Sequence, residues 1–133
     1  DHILNIADKI RKHYADSPYE IFAMGDMAGK ASYLLDKKLI QLEGLVGGKK
    51  ILNRIQNEEN LCNLFSDLKV DIYLTAKIKE VDEVYYVEEP SQKSVNVKKM
   101  KGKLIIKPEK TFSSANLNVY AFNLKNNKFC ASK

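Results

Sequence analysis

A small three-layer α/β domain is the fold class this sequence predicts: a parallel three-stranded core, β-α-β-α-β, with an antiparallel β-hairpin extension at the C-terminal end. Three observations predict it. Short apolar runs lie near 19–24, 39–42 and 70–76, with helical patterns between them. The first two each lead into a glycine and a carboxylate, in Gly25-Asp26-Met27-Ala28-Gly29 and in Gln41-Leu42-Glu43-Gly44-Leu45-Val46. The carboxyl edge of an open parallel sheet is where ligands usually sit. After Lys77 the pattern turns to short β-rich runs separated by turn residues. At 133 residues the chain reads as one domain, a parallel α/β core over 1–77 and a β-rich extension over 78–133.

The elements follow in order. Ile3, Ile6, Ala7, Ile10 and Tyr14 recur at helical spacing, and Asp16-Ser17-Pro18 ends that helix. Tyr19 to Met24 is a strand with a continuous apolar run, the mark of burial on both faces. Met27 to Leu35 reads as a short helix, and Leu39 to Leu42 as a second strand. Ile51, Leu52 and Ile55 form one helical stripe; Leu61, Leu64, Phe65 and Leu68 form another. Val70 to Ala76 is the third strand. Strands alternating with helices at this spacing imply right-handed crossovers and a parallel sheet. Val84–Val87, Val95–Val97, Leu104–Ile106 and Leu117–Leu124 then read as antiparallel strands, punctuated by Pro90-Ser91, Lys101-Gly102-Lys103 and Asn126-Asn127.

Charge is unevenly placed. Residues 1–77 carry 11 Lys or Arg and 11 Asp or Glu, whereas 78–133 carry 11 Lys and six acids, so the whole net +5 lies there. Lys93, Lys98, Lys99, Lys101, Lys103, Lys107 and Lys110 face a single acid, Glu109. Such a strip attracts anionic lipid or polyanionic glycan; the plainer reading is solubilising lysine on an exposed hairpin, with Val95, Val97, Leu104 and Ile106 turned inward. Arg occurs at 11 and 54 and nowhere in the strip, which argues against nucleic acid as a partner. The longest uncharged stretch, Thr111 to Leu124, has 14 residues and several Asn and Ser, too short and polar for a transmembrane helix. Cys62 and Cys130 are either two free thiols or one disulfide formed in an oxidising compartment.

No catalytic constellation emerges. Gly25 to Ser32 departs from the phosphate-loop pattern, with three residues between its glycines and Ala31 after Lys30. Asp26 and Glu43, brought side by side, would serve as acid and base or hold a cation; the plainer reading is that they cap adjacent helices. Gly44 to Lys50 would form an anion seat at a helix start or a simple turn. His2 and His13 lie in the first helix without a cluster of further ligands, so no metal site is read, and no cofactor is implied.

Gly25, Asp26, Ala28, Gly29 and Tyr33, followed by Gln41-Leu42-Glu43-Gly44-Leu45-Val46 and by Val70-Asp71-Ile72-Tyr73-Leu74, carry a resemblance. Over 19–77 the chain resembles the extracytoplasmic C-terminal domain of bacterial polytopic membrane proteins, the C-type glycosyltransferases that use polyprenyl-phosphate sugars. The resemblance implies that Gly25, Asp26, Gly29, Tyr33, Gln41, Glu43 and Gly44 form a ligand or turn motif. It also implies that the catalytic carboxylate lies elsewhere, between membrane helices. The start at Asp1, already inside a helical pattern, fits a preceding membrane region. The expected function is a non-catalytic, membrane-tethered domain on the periplasmic side that supports glycan or lipid-linked sugar handling, with the parent transmembrane region as partner. The alternatives are a free-standing α/β ligand-binding module or enzyme using Asp26 and Glu43, or a basic module whose Lys98, Lys99, Lys101 and Lys103 bind anionic lipid or glycan.

Overall fold

The computed structural model describes residues 1–25, 37–42, 48–91 and 98–131. Helix α1 (His2–Tyr14) leads into β1 (Ile21–Met24) and β2 (Lys38–Gln41). Two short helices follow, α2 (Lys49–Gln56) and α3 (Leu61–Asp67), and then β3 (Ile72–Thr75). The rest is β: β4 (Lys79–Val81), β5 (Val84–Glu89), β6 (Met100–Leu104), β7 (Lys110–Ser114) and β8 (Leu117–Asn123). The expected helix at 27–35 and strand at 95–97 lie outside the described residues.

The structure overturns the expected fold class. The strands form two sheets, one of five in the order β2-β1-β3-β8-β7 and one of three in the order β4-β5-β6. β1 pairs in parallel with β2 and with β3. These are not a parallel core with a hairpin appended, because β8 lies antiparallel against β3 and β7 against β8 in the same sheet. The domain is mixed and strand-rich, with eight strands and three helices among the described residues. The physical reason is that β3 still has an open edge after pairing with β1. Leu117–Asn123 fills it, with Leu74 opposite Ala121.

The five-stranded sheet is covered on both faces, which is why β1 and β3 read as continuous apolar runs. Phe22, Met24, Ile72, Leu74, Val119 and Ala121 pack under α1, against Ile6, Ala7, Ile10 and Tyr14. Ala23, Tyr73 and Phe122, one residue out of phase, face α2, α3 and the second sheet. Each large side chain so buried contributes about 1.5–3 kcal/mol. Local chemistry sets the ends. Asp1 Oδ1 caps α1 by accepting from Ile3 N at 2.8 Å, and Asn60 Oδ1 caps α3 by accepting from Cys62 N at 2.8 Å. Arg54 ties α2 to α3 through Asp67 Oδ2 at 2.5 Å and through Glu59.

Asp71 fastens the amino ends of the parallel strands. Its Oδ2 accepts from Glu20 N at 2.8 Å and from Ile21 N at 3.0 Å. Its own backbone N donates to Ile21 O, and its carbonyl accepts from Leu124 N, each at 2.8 Å. The second sheet is held at its far side by the C-terminal segment. Ile105 N donates to Phe129 O at 2.9 Å and Ala131 N to Lys103 O at 3.0 Å, so residues 129–131 cover the open edge of β6. Cys62 of α3 is disulfide-bonded to Cys130 of this segment. Of the two readings of the cysteines, the disulfide is the one found. Gly102 lets α3 close on β6, since a Cβ there would lie 3.4 Å from Cys62 Sγ and from Leu61 Cβ.

Candidate functional site

The carboxyl edge of β1 and β3 is the natural place for a site. The chain passes from β1 to β2 on one side and then to β3 on the other, and such a reversal leaves a crevice where ligands of open α/β sheets lie. Gly25, the residue after β1, is buried there, beside Thr75 and Ala76 at the end of β3. The crevice is plugged from below by the second sheet. Glu89, the last residue of β5, is 1% exposed and reaches between the two strands. Tyr73 Oη donates to Glu89 Oε2 at 2.5 Å. A Cβ on Gly25 would overlap Glu89 Oε1, so the glycine is there for close approach of a carboxylate. The remaining space is about 10 Å³, room for about one water.

Burying a carboxylate is costly unless hydrogen bonds meet it, and Tyr73 supplies one across the two sheets. Around it, Ser91 is buried and its carbonyl accepts from Lys77 Nζ at 3.3 Å. Lys77 N donates to Thr75 Oγ1 at 3.3 Å. This cluster was not singled out in the sequence. The available signal is the alternation of β5: Tyr85 and Val87 point inward, so Glu89 must follow them.

The structure brings only part of the sequence motif onto this edge. Gln41 ends β2 opposite Met24, and its Oε1 is buried without a hydrogen-bond partner among the described residues. Asp26, Gly29, Tyr33, Glu43 and Gly44 lie outside the described residues. The expected anion seat is described only from Gly48, which takes φ of +88° at the start of α2, with Lys49 and Lys50 exposed. His2 and His13 are placed apart: His2 Nδ1 lies 2.9 Å from Ser114 Oγ, and His13 packs edge-on against Phe112. Among the described residues no group of three or more His, Cys, Asp or Glu could hold a metal ion.

The basic strip is split by the alternation of β6. Lys101 and Lys103 are exposed on the outer face, while Met100, Gly102 and Leu104 are buried. Lys98 is exposed, whereas Lys99 is half-buried and paired with Glu88 at 3.1 Å. Leu104 is buried and Ile106 packs on the core; Lys93, Val95 and Val97 lie outside the described residues. No helix among the described residues is long and apolar enough to cross a membrane. Comparison with protein-family models, with curated proteins and with solved structures found no match to this chain.

Proposed function

We propose that this chain is a non-catalytic extracytoplasmic domain of a membrane-embedded, glycosyltransferase-like protein, supporting the handling of a glycan or lipid-linked sugar. The observation that carries this reading is the Cys62–Cys130 disulfide, which joins α3 to the C-terminal segment over a sequence separation of 68. Such a bond persists in secreted and periplasmic surroundings and is rare in the cytosol. The motif residues from Gly25 to Val46 supply the class, through their resemblance to the appended domains of such transferases. The plugged crevice beneath Gly25 supports a structural rather than a catalytic part for this edge. Chemistry on the sugar then belongs to the membrane region, and this domain orients or shields the substrate outside it.

The test is protease treatment of spheroplasts making the full-length gene product with a C-terminal tag. Protease added outside should cleave the tagged domain while a cytoplasmic marker stays whole. A tag protected until the cells are lysed overturns the reading.

A further inference from the structure

The Cys62–Cys130 disulfide ties a short C-terminal strap to α3, across the edge of the second sheet. The strap runs antiparallel to β6, with Leu104 bridged to Cys130. Among the described residues two backbone hydrogen bonds join them, Ile105 N to Phe129 O at 2.9 Å and Ala131 N to Lys103 O at 3.0 Å. Residues 126–128, which lead into the strap, are exposed, and Asn126 turns the chain with φ of +62°. Phe129 is half-buried, its ring 6.5 Å from that of Phe65. The other end of the disulfide is anchored differently. Leu61, Leu64 and Phe65 of α3 are each at most 1% exposed, so the helix is held by the core. A neutral backbone hydrogen bond adds little net stability, because water competes for both partners. The covalent bond is therefore the main hold of the strap on β6. It is also within reach of a reductant. Cys130 is half-buried where Cys62 is 8% exposed. An open concavity of about 340 Å³ lies beside both, walled by Asn60, Asn63, Asn127 and Lys128.

We propose that this disulfide is a redox latch: a dithiol reductant opens it, the strap leaves β6, and the strand edge beneath is uncovered. The step is thiol–disulfide exchange. A thiolate of the dithiol attacks Cys130 Sγ, in the more exposed of the two residues. The bond between the cysteine sulfurs breaks, and Cys62 leaves as a thiolate and takes up a proton. The second thiolate of the dithiol then attacks its partner sulfur in the mixed disulfide. Cys130 leaves as a thiolate, takes up a proton, and the reductant ends as a disulfide. Two electrons have passed to the protein. With the strap gone, the Ile105 N–H and the Lys103 carbonyl lose their partners on this edge. A strand edge in that state accepts another strand by backbone pairing. The latched form is the resting state. This inference goes beyond the extracytoplasmic reading and does not depend on it, since it concerns α3, β6 and the strap alone.

The experiment is backbone-amide NMR of the 133-residue chain, oxidised, treated with dithiothreitol, and reoxidised. Cys62→Ala with Cys130→Ala gives the unlatched chain by a second route. Heteronuclear NOE values should fall at 127–131 on reduction and in the double variant, and recover on reoxidation, while α3 and β6 keep theirs. Exchange of the Ile105 amide should rise about tenfold or more relative to that of Val70, whose bond to Phe65 O lies at the end of α3. The comparison with Val70 separates release of the strap from a general loss of stability. The proposal is overturned if 127–131 stay ordered in the double variant, because the strap then needs no latch. It is equally overturned if α3 and β6 lose order together with the strap, because the bond then holds the fold. Failure of dithiothreitol to reduce the folded chain would overturn it as well, because the bond is then closed to a reductant.

Discussion

Gly25 and Glu89 meet where the two sheets join: a methyl group at Gly25 would overlap Glu89 Oε1 and lie 2.9 Å from Glu89 Cδ. The glycine at the head of the sequence motif is thus fixed by a carboxylate 64 positions away along the chain, from the other sheet. Gly25→Ala should destabilise the domain by about 1–3 kcal/mol, as overpacking of a core does. In a Glu89→Ala background the same change should cost much less, because the colliding atoms are gone. Chemical denaturation of the four proteins in this cycle checks the coupling. An equal cost in both backgrounds would show that the overlap is relieved elsewhere.

Asp71 should be the most sensitive residue at the amino ends of β1 and β3. It accepts from two backbone N–H groups of the neighbouring strand, and hydrogen bonds to a charged acceptor are worth about 1.5–3 kcal/mol. Asp71→Ala should cost about 2 kcal/mol or more, and Asp71→Asn less, since one acceptor oxygen remains. Amide exchange should speed up at Glu20 and Ile21 first. Unchanged protection of those two amides would remove Asp71 from this role.

Reduction should loosen α3 from the second sheet. The disulfide closes a long loop, and such bonds typically contribute about 2–4 kcal/mol. Thermal melts with and without reductant, and of Cys62→Ala with Cys130→Ala, should show that loss. Because Leu61, Leu64 and Phe65 still bury their side chains, the reduced protein should stay folded at room temperature. A melting point indifferent to reductant would contradict the structural weight placed on this bond.

Stability should fall at alkaline pH, and Tyr14 should contribute. Burial, and next the hydrogen bond it donates to Glu109 Oε2 at 2.8 Å, push its hydroxyl above the ordinary tyrosine range. The folded state therefore holds the proton more tightly than the unfolded chain. The contribution is complete below about pH 10, the unfolded value, and is lost as pH rises above it. Tyr14→Phe should be less stable at neutral pH yet show a shallower decline above about pH 10. Identical slopes for the two proteins would exclude Tyr14 from the alkaline transition.

What the sequence disclosed depended on how each residue was buried. β1 and β3 were legible because both faces are covered, so Phe22, Ala23 and Met24 leave no polar gap. α1 was legible because Ile6, Ala7, Ile10 and Tyr14 all turn to one side. β4 was not: Lys79, Glu80 and Val81 are all exposed and leave no apolar period to read. β7 offers one large apolar residue, Phe112, and its place in the sheet is set by pairing with β8. The fold class failed for a related reason. Periodicity shows that Leu117–Asn123 is a strand, but the long-range pairing of Ile72 with Asn123 leaves no local trace. At the carboxyl edge the apolar run placed Gly25 at the end of β1, and Glu89 was hidden because an acid at a buried position contradicts composition rules until Tyr73 is seen beside it.

The proposed extracytoplasmic location is open to a direct test through the redox state of the cysteines in the cells that make the protein. Acid quenching followed by a mass-tagged maleimide counts free thiols at Cys62 and Cys130. An extracytoplasmic domain should take no tag before reduction and one on each cysteine after it. Both cysteines tagged without reduction, in protein taken straight from its native cells, would contradict the extracytoplasmic assignment.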